Sequence, residues 1–162
     1  MTGHPADAAP RPGPPRVDEH ETAVAAAADD VWPVLLDTLD RAFTRAGAAS
    51  YARAVGAAEH TASGPRPLAV GSTVPGFRVT TAVPATELVL TGRHRFSDYA
   101  FVFRLEPIVP GRTRLRAETR ADFPGATGGV YRLLVVGTGG HAWAVRRLLA
   151  TVRRRSEQRA GR

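Results

Sequence analysis

ELVLTGRHRFSDYAFVFRLEPIVPGRTRLRAETRADF, residues 87–123, alternates apolar and charged side chains with a period of two over three successive runs. That period marks strands with one dry face and one wet face. In 88–96 the shared face holds Leu88, Leu90, Gly92, His94 and Phe96; in 99–105 it holds Tyr99, Phe101, Phe103 and Leu105. In 113–123 it holds Thr113, Leu115, Ala117, Thr119, Ala121 and Phe123. A fourth run, 77–83, places Phe77, Val79, Thr81 and Val83 together. The opposite faces carry Arg78, Arg93, Arg95, Arg104, Glu106, Arg114, Arg116, Glu118, Arg120 and Asp122. The connections VPAT, FSD and PIVPGR are short and have turn chemistry, so the runs form an antiparallel meander.

Upstream, HETAVAAA (20–27) reads as a first strand. Asp29 and Asp30 offer a cap for a helix over about 30–46, with Val31, Leu35, Leu39 and Phe43 one turn apart and Pro33 in its first turn. Residues 51–60 fit strand or helix, and 63–71 read as a loop. Downstream, Val130, Leu134, Val145, Leu149 and Val152 recur near helical spacing up to about residue 157, interrupted by GTGG at 137–140. Three glycines there cost a helix roughly 3 kcal/mol against alanine, so the helix bends or the missing side chains leave room for something else.

At 162 residues the chain fits one domain. The reading divides it into a disordered proline-rich leader (1–19), a folded domain (20–157) and a basic tail (158–162). Cysteine is absent, which excludes disulfides, thiolate metal sites and a cysteine nucleophile. No apolar run approaches the roughly 20 residues of a membrane span, and the amino terminus lacks a signal-peptide pattern, so the expected location is cytoplasmic. All 22 basic residues are arginine, and the net charge is +7. More than half of that excess lies in residues 153–162. Such an end touches nucleic acid or anionic lipid, or is a solvated helix end whose arginines suit the helix dipole; the second reading is adopted.

The element order is strand, helix, strands, long C-terminal helix: an α+β arrangement. A sheet that is dry on one face must be covered, and the last helix is the element long enough to do it. A curved antiparallel sheet wrapped around such a helix leaves a cavity between the two. On ETAVAAAADDVWPVLLD, VGSTVPGFRV, the 87–106 hairpin, GRTRLRAETRADFPG and GGVYRLLVVGTGGHAWAVRRLL, the chain resembles the START-like, SRPBCC-type helix-grip superfamily, which includes polyketide cyclase-like proteins. The closing stretch also looks like uncharacterised DUF2867-type proteins. The resemblance covers about residues 20–155. It implies binding of an apolar or amphipathic small molecule between sheet and helix, with cyclisation or dehydration in some members. No universal catalytic motif exists there to be carried over.

The expected function is therefore binding of a lipid, polyketide or aromatic metabolite. The expected lining is Leu90, His94, Tyr99, Phe101, Phe103, Leu115, Ala117, Tyr131, Leu134, His141 and Val145, with His94, Tyr99 and His141 orienting polar groups of the ligand. The alternative is a cyclase- or dehydratase-type enzyme with His94 or His141 as base, since imidazole titrates near neutrality. His4, His20 and His60 fall in tail or strand-end positions and add nothing to this reading. Trp143 suits a pocket wall, and Trp32 anchors the first helix. LLVVGTGGHA (133–142) has a GxGxxA pattern, but only 20 residues follow it, too few for a dinucleotide-binding unit. His94 and His141 without a placed carboxylate do not make a metal site. The outward arginines are interleaved with acids, which predicts cross-strand pairing and not a nucleic-acid face. No GxSxG elbow or paired-carboxylate arrangement occurs. Neither cofactor nor metal is expected; the chain is expected to be a monomer or homodimer.

Overall fold

A computed structural model of the chain describes residues 14–95, 97–122 and 139–162. Its elements are β1 (Arg16–Val24), α1 (Ala28–Phe43), α2 (Ala48–Ala54), β2 (Thr73–Val74), β3 (Phe77–Val83), β4 (Glu87–His94), β5 (Ser97–Val109), β6 (Arg112–Asp122) and α3 (Gly140–Ala160). The six strands form one antiparallel sheet in the order β1-β6-β5-β4-β3-β2. Register breaks at Arg16/Asp18, Val79/Thr81 and Pro107/Val109 bend it.

The predicted dry face is the one that packs. Leu88, Leu90, Phe103, Leu105, Leu115 and Ala117 are buried in one cluster with Val31, Leu35 and Leu39 of α1 and Val145, Leu149 and Val152 of α3. β3 departs from simple alternation. Its bulge turns the chain over after Val79, so Ala82 packs against the core and Val83 is exposed.

Cover of the sheet is shared, which corrects the expectation of one long covering element. The chief neighbours of α3 are α1 and β1, while α1 also reaches β5 and β6. The Arg155 guanidinium clamps α3 to α1, donating to Asp37 Oδ2 at 2.6 Å and to Thr38 Oγ1 at 2.9 Å. Glu157 accepts from the Ala25 amide at 3.1 Å, tying the helix to the end of β1. One arginine of the basic C-terminal stretch is therefore a packing device, and the helix continues through Ala160 into the segment read as tail.

Three boundaries also differ. β1 begins at Arg16, inside the segment read as leader, because Ala121 donates to the Pro15 carbonyl and the β6 ladder continues past residue 20. α1 begins at Ala28, so Asp29 and Asp30 occupy its first turn, where they complement the helix dipole without capping it. Pro33 consequently lies one turn deeper than expected. Residues 48–54 are helical, which resolves the start of the ambiguous 51–60 stretch.

The wet face is an arginine–carboxylate lattice. Arg104 donates to Glu87 and Glu118 at 2.9 Å each, and Arg120 donates to Glu118 at 2.7 Å. Arg116 lies within 4 Å of Glu19, Glu21 and Glu106, and Arg114 likewise approaches Glu21 and Glu106. Burial raises the Glu118 carboxyl, but the hydrogen bonds from Arg120 and Arg104 outweigh it and hold the group below its ordinary 4.5. The pairing predicted for these strands is what the structure contains.

Leu115→Ala removes a side chain with no exposure from the centre of the core. It is expected to lower unfolding free energy by about 2–5 kcal/mol in urea titrations. The folded-state pKa of Glu118 lies below its unfolded value. Its contribution is therefore complete above pH 4.5 and is lost as pH falls through the folded value. Glu118→Gln is expected to cost about 1–3 kcal/mol at pH 7 and to flatten the acid side of the stability profile.

Candidate functional site

A cavity of about 340 Å³ opens at the end of the sheet where β4 turns into β5, beneath α2 and the first turn of α3. Aromatic rings build its floor. Phe77 is the hub, with ring centroids 4.8 Å from Phe43, 5.3 Å from Phe101 and 5.1 Å from Tyr99, the last edge-on. Alanines make much of the wall: Ala42, Ala48, Ala52, Ala57, Ala100 and Ala121. Small side chains opposite large rings leave the hollow that larger aliphatic residues would fill.

Tyr99 is locked in place. Its hydroxyl donates to the Gly76 carbonyl at 2.8 Å, bridging β5 to the β2–β3 turn. Its ring lies across Gly92, its register partner on β4. A Cβ on Gly92 would collide with both the Tyr99 ring and the Gly76 carbonyl, so this position requires glycine. Burial, with a smaller contribution from Tyr51, pushes the Tyr99 phenol up to about 12.

Two histidines border the cavity. His94, at the end of β4, lies 5.1 Å from the Tyr99 ring. Burial lowers its pKa, and Asp98 opposes the shift. His141, the second residue of α3, lies flat against Phe101 with centroids 5.6 Å apart and planes 7° from parallel. Its Nε2 is 2.9 Å from Thr119 Oγ1 and 3.8 Å from Asp18 Oδ1. Asp18 Oδ2 in turn lies 3.4 Å from His20 Nε2. Burial lowers the His141 pKa, Asp18 pulls it back up and His20 adds to the lowering. At neutral pH both cavity histidines are therefore uncharged. No Asp, Glu or Arg is among the described residues lining this cavity.

Of the expected lining, His94, Tyr99, Phe101 and His141 come together here. Leu90, Leu115 and Ala117 are instead sealed in the core, because α1 and α3 close over the middle of the sheet. Phe103 and Val145 border a second hollow of about 750 Å³, the groove between α1 and α3 rimmed by Arg41, Arg45, Arg147 and Arg155. Trp143 stands on that rim, largely exposed, with the Arg147 guanidinium 5.4 Å from its ring. The two hollows share Ala42, Phe43, Phe101 and His141. Tyr131 and Leu134, and most of the GxGxxA stretch, lie outside the described residues. Gly139 and Gly140 open α3, and no strand follows them.

Asp18 falls inside the segment read as leader, and His20 was set aside as a strand-end histidine, so neither was expected in the site. The signal was present: Asp18, His20, Thr22 and Val24 alternate as β1 does, and Asp18 and His20 sit opposite Thr119 and Ala117 on the inner face. The alanine wall and α2 had no comparable signal in a chain so rich in alanine.

Three tyrosines occur in the chain. An alkaline absorbance titration is expected to show one of them ionising only near pH 12, and Tyr99→Phe should remove that step. Persistence of the late step in the variant would show that Tyr99 is not sequestered.

No protein-family model and no curated protein matches the chain. Solved structures do. Norcoclaurine synthase from Thalictrum flavum, solved with a transition-state analogue, superposes with a TM-score of 0.56 at 14% identity, covering 90% of this chain and 98% of that one. The Aha1 dimer from Colwellia psychrerythraea gives 0.53 at 18% identity over 86% of this chain and 94% of its own. CalU16 from Micromonospora echinospora gives 0.51 at 16% identity over 88% and 82%. At these identities the likeness is one of fold: a six-stranded antiparallel sheet, curved and gripped by a C-terminal helix, the helix-grip fold expected from the sequence.

Proposed function

We propose that the chain binds an uncharged aromatic small molecule of one or two rings in the cavity over Phe77, Tyr99 and Phe101. The observation that carries this reading is the union of an aromatic floor with a wall free of formal charge. A cavity of about 340 Å³ is at the small end of known ligand sites. Rings that already pack edge-on and tilted offer further faces to an aromatic guest. An ionised ligand would lose its hydration and find no counter-charge among the described lining residues, a cost that only pairing offsets. His94, Ser97, Thr119 and His141 supply the few polar atoms that would set the guest's orientation. Relatives of this fold include a norcoclaurine synthase solved with dopamine and hydroxybenzaldehyde, which supports an aromatic guest as a class and not any particular one.

The narrow cavity favours an aromatic metabolite over a lipid. A longer apolar molecule would have to cross the shared wall at Phe43 and Phe101 into the α1–α3 groove.

2-Naphthol is expected to bind saturably, shifting the NMR signals of Phe77, Tyr99 and Phe101. 2-Naphthoate, the same ring system carrying a charge, should bind those residues at least about tenfold more weakly. Ala121→Trp should fill the cavity and abolish naphthol binding while the far-ultraviolet circular dichroism stays unchanged. Equal binding of the two probes at these residues, or naphthol binding that survives Ala121→Trp, would refute the reading. Native mass spectrometry of freshly purified protein should retain a neutral aromatic adduct.

A further inference from the structure

We propose that His141 is a general base acting on the cavity's guest through Nδ1, with Asp18 as the carboxylate that positions it. This rests on the reading of the cavity as an aromatic-ligand site. The supporting feature is a polar cluster on an otherwise oily face. Asp18 and Thr119 are register partners on β1 and β6, and the first turn of α3 lowers His141 onto them. Nε2 of His141 meets Thr119 Oγ1 at 2.9 Å with Asp18 Oδ1 at 3.8 Å. Asp18 Oδ1 is buried and accepts no hydrogen bond, so a proton on the facing ring nitrogen is what its charge favours. That arrangement selects the Nε2–H tautomer and leaves the Nδ1 lone pair as the basic site of the ring. Stacking on Phe101 fixes the plane of the imidazole. A structural histidine is satisfied by one hydrogen bond; this one also has an oriented carboxylate and borders both hollows.

Asp18 and His20 face His141 from β1, Arg41 of α1 and Arg45 just beyond its end border the same groove, and Arg147 and Arg155 lie along the helix of His141 itself. Asp18 is the one anion among them and opposes the loss of basicity that burial imposes. The reaction class is proton abstraction from a carbon or oxygen acid on a neutral aromatic guest.

The test uses 5-nitrobenzisoxazole, a neutral bicyclic probe. Nδ1 takes its carbon-bound proton, the freed electron pair closes the nitrile, the N–O bond breaks, and the charge lands on a coloured phenolate. The imidazolium then returns its proton to water. Turnover in the full chain is expected to rise with pH below 6.5 and to level off by neutrality. His141→Gln should lower kcat about 100-fold or more with KM little changed. In His141→Ala, added imidazole should restore part of the rate, which separates lost chemistry from lost folding. Asp18→Asn should move the acid limb to lower pH and lower the plateau about tenfold, because the weaker base titrates earlier and is less reactive. A merely structural Asp18 would leave that limb in place.

Saturable binding of the probe with turnover unaltered by His141→Gln, or turnover that depends on His94 and not on His141, would overturn the proposal while leaving the binding reading intact. Failure of the probe to bind at Phe77, Tyr99 and Phe101 would remove both.

Discussion

An apolar sheet face has to be kept from water, and this chain has limited material to do it. The inner sides of β3–β6 carry Phe77, Leu88, Leu90, Tyr99, Phe101, Phe103 and Leu115. Burial of such a face, at roughly 25 cal/mol per Å², is the main force holding the domain together. α1 and α3 meet over the middle and are clamped to each other by Arg155. Neither seals the end where β4 passes into β5. There, among the described residues, the cover is the short helix α2 with the first turn of α3, and α2 lines the hollow with Ala48, Tyr51 and Ala52. The hollow is what remains when large rings on one side face small side chains on the other.

That origin explains why the site is uncharged. The same alternation that sends aromatics inward sends arginines and glutamates outward, where they neutralise one another across strands. Besides the tyrosine phenols, the ionisable groups that the described residues place on the inner face near the hollow are His94, His141, Asp18 and His20. Three of them form one contiguous cluster under the start of α3. Polar groups placed against a dry face at such cost are the natural place to look for chemistry.

The meander, its two faces, the C-terminal helix and four of the cavity residues were legible in the sequence, because each rests on a local period. The remainder depended on information that the period does not carry. The β3 bulge reverses the inward side after Val79, so Val83 was assigned to the wrong face. Leu90 and Leu115 share a face with Tyr99 and Phe101, yet only distance along the strand from α1 decides which are sealed and which line the hollow. Asp18 was hidden by the prolines before it, His20 by its place at the expected start of the strand, and the alanine wall by composition.

The outer lattice has a further consequence. Every cation in it is a guanidinium, and the chain contains no lysine at all. Guanidinium keeps its charge above pH 12, so alkali cannot unpair these strands by stripping protons from their basic partners. The same choice makes the surface opaque to reagents and enzymes that work on an ε-amine: acylation, amine crosslinking and isopeptide tagging find no side-chain target on this protein.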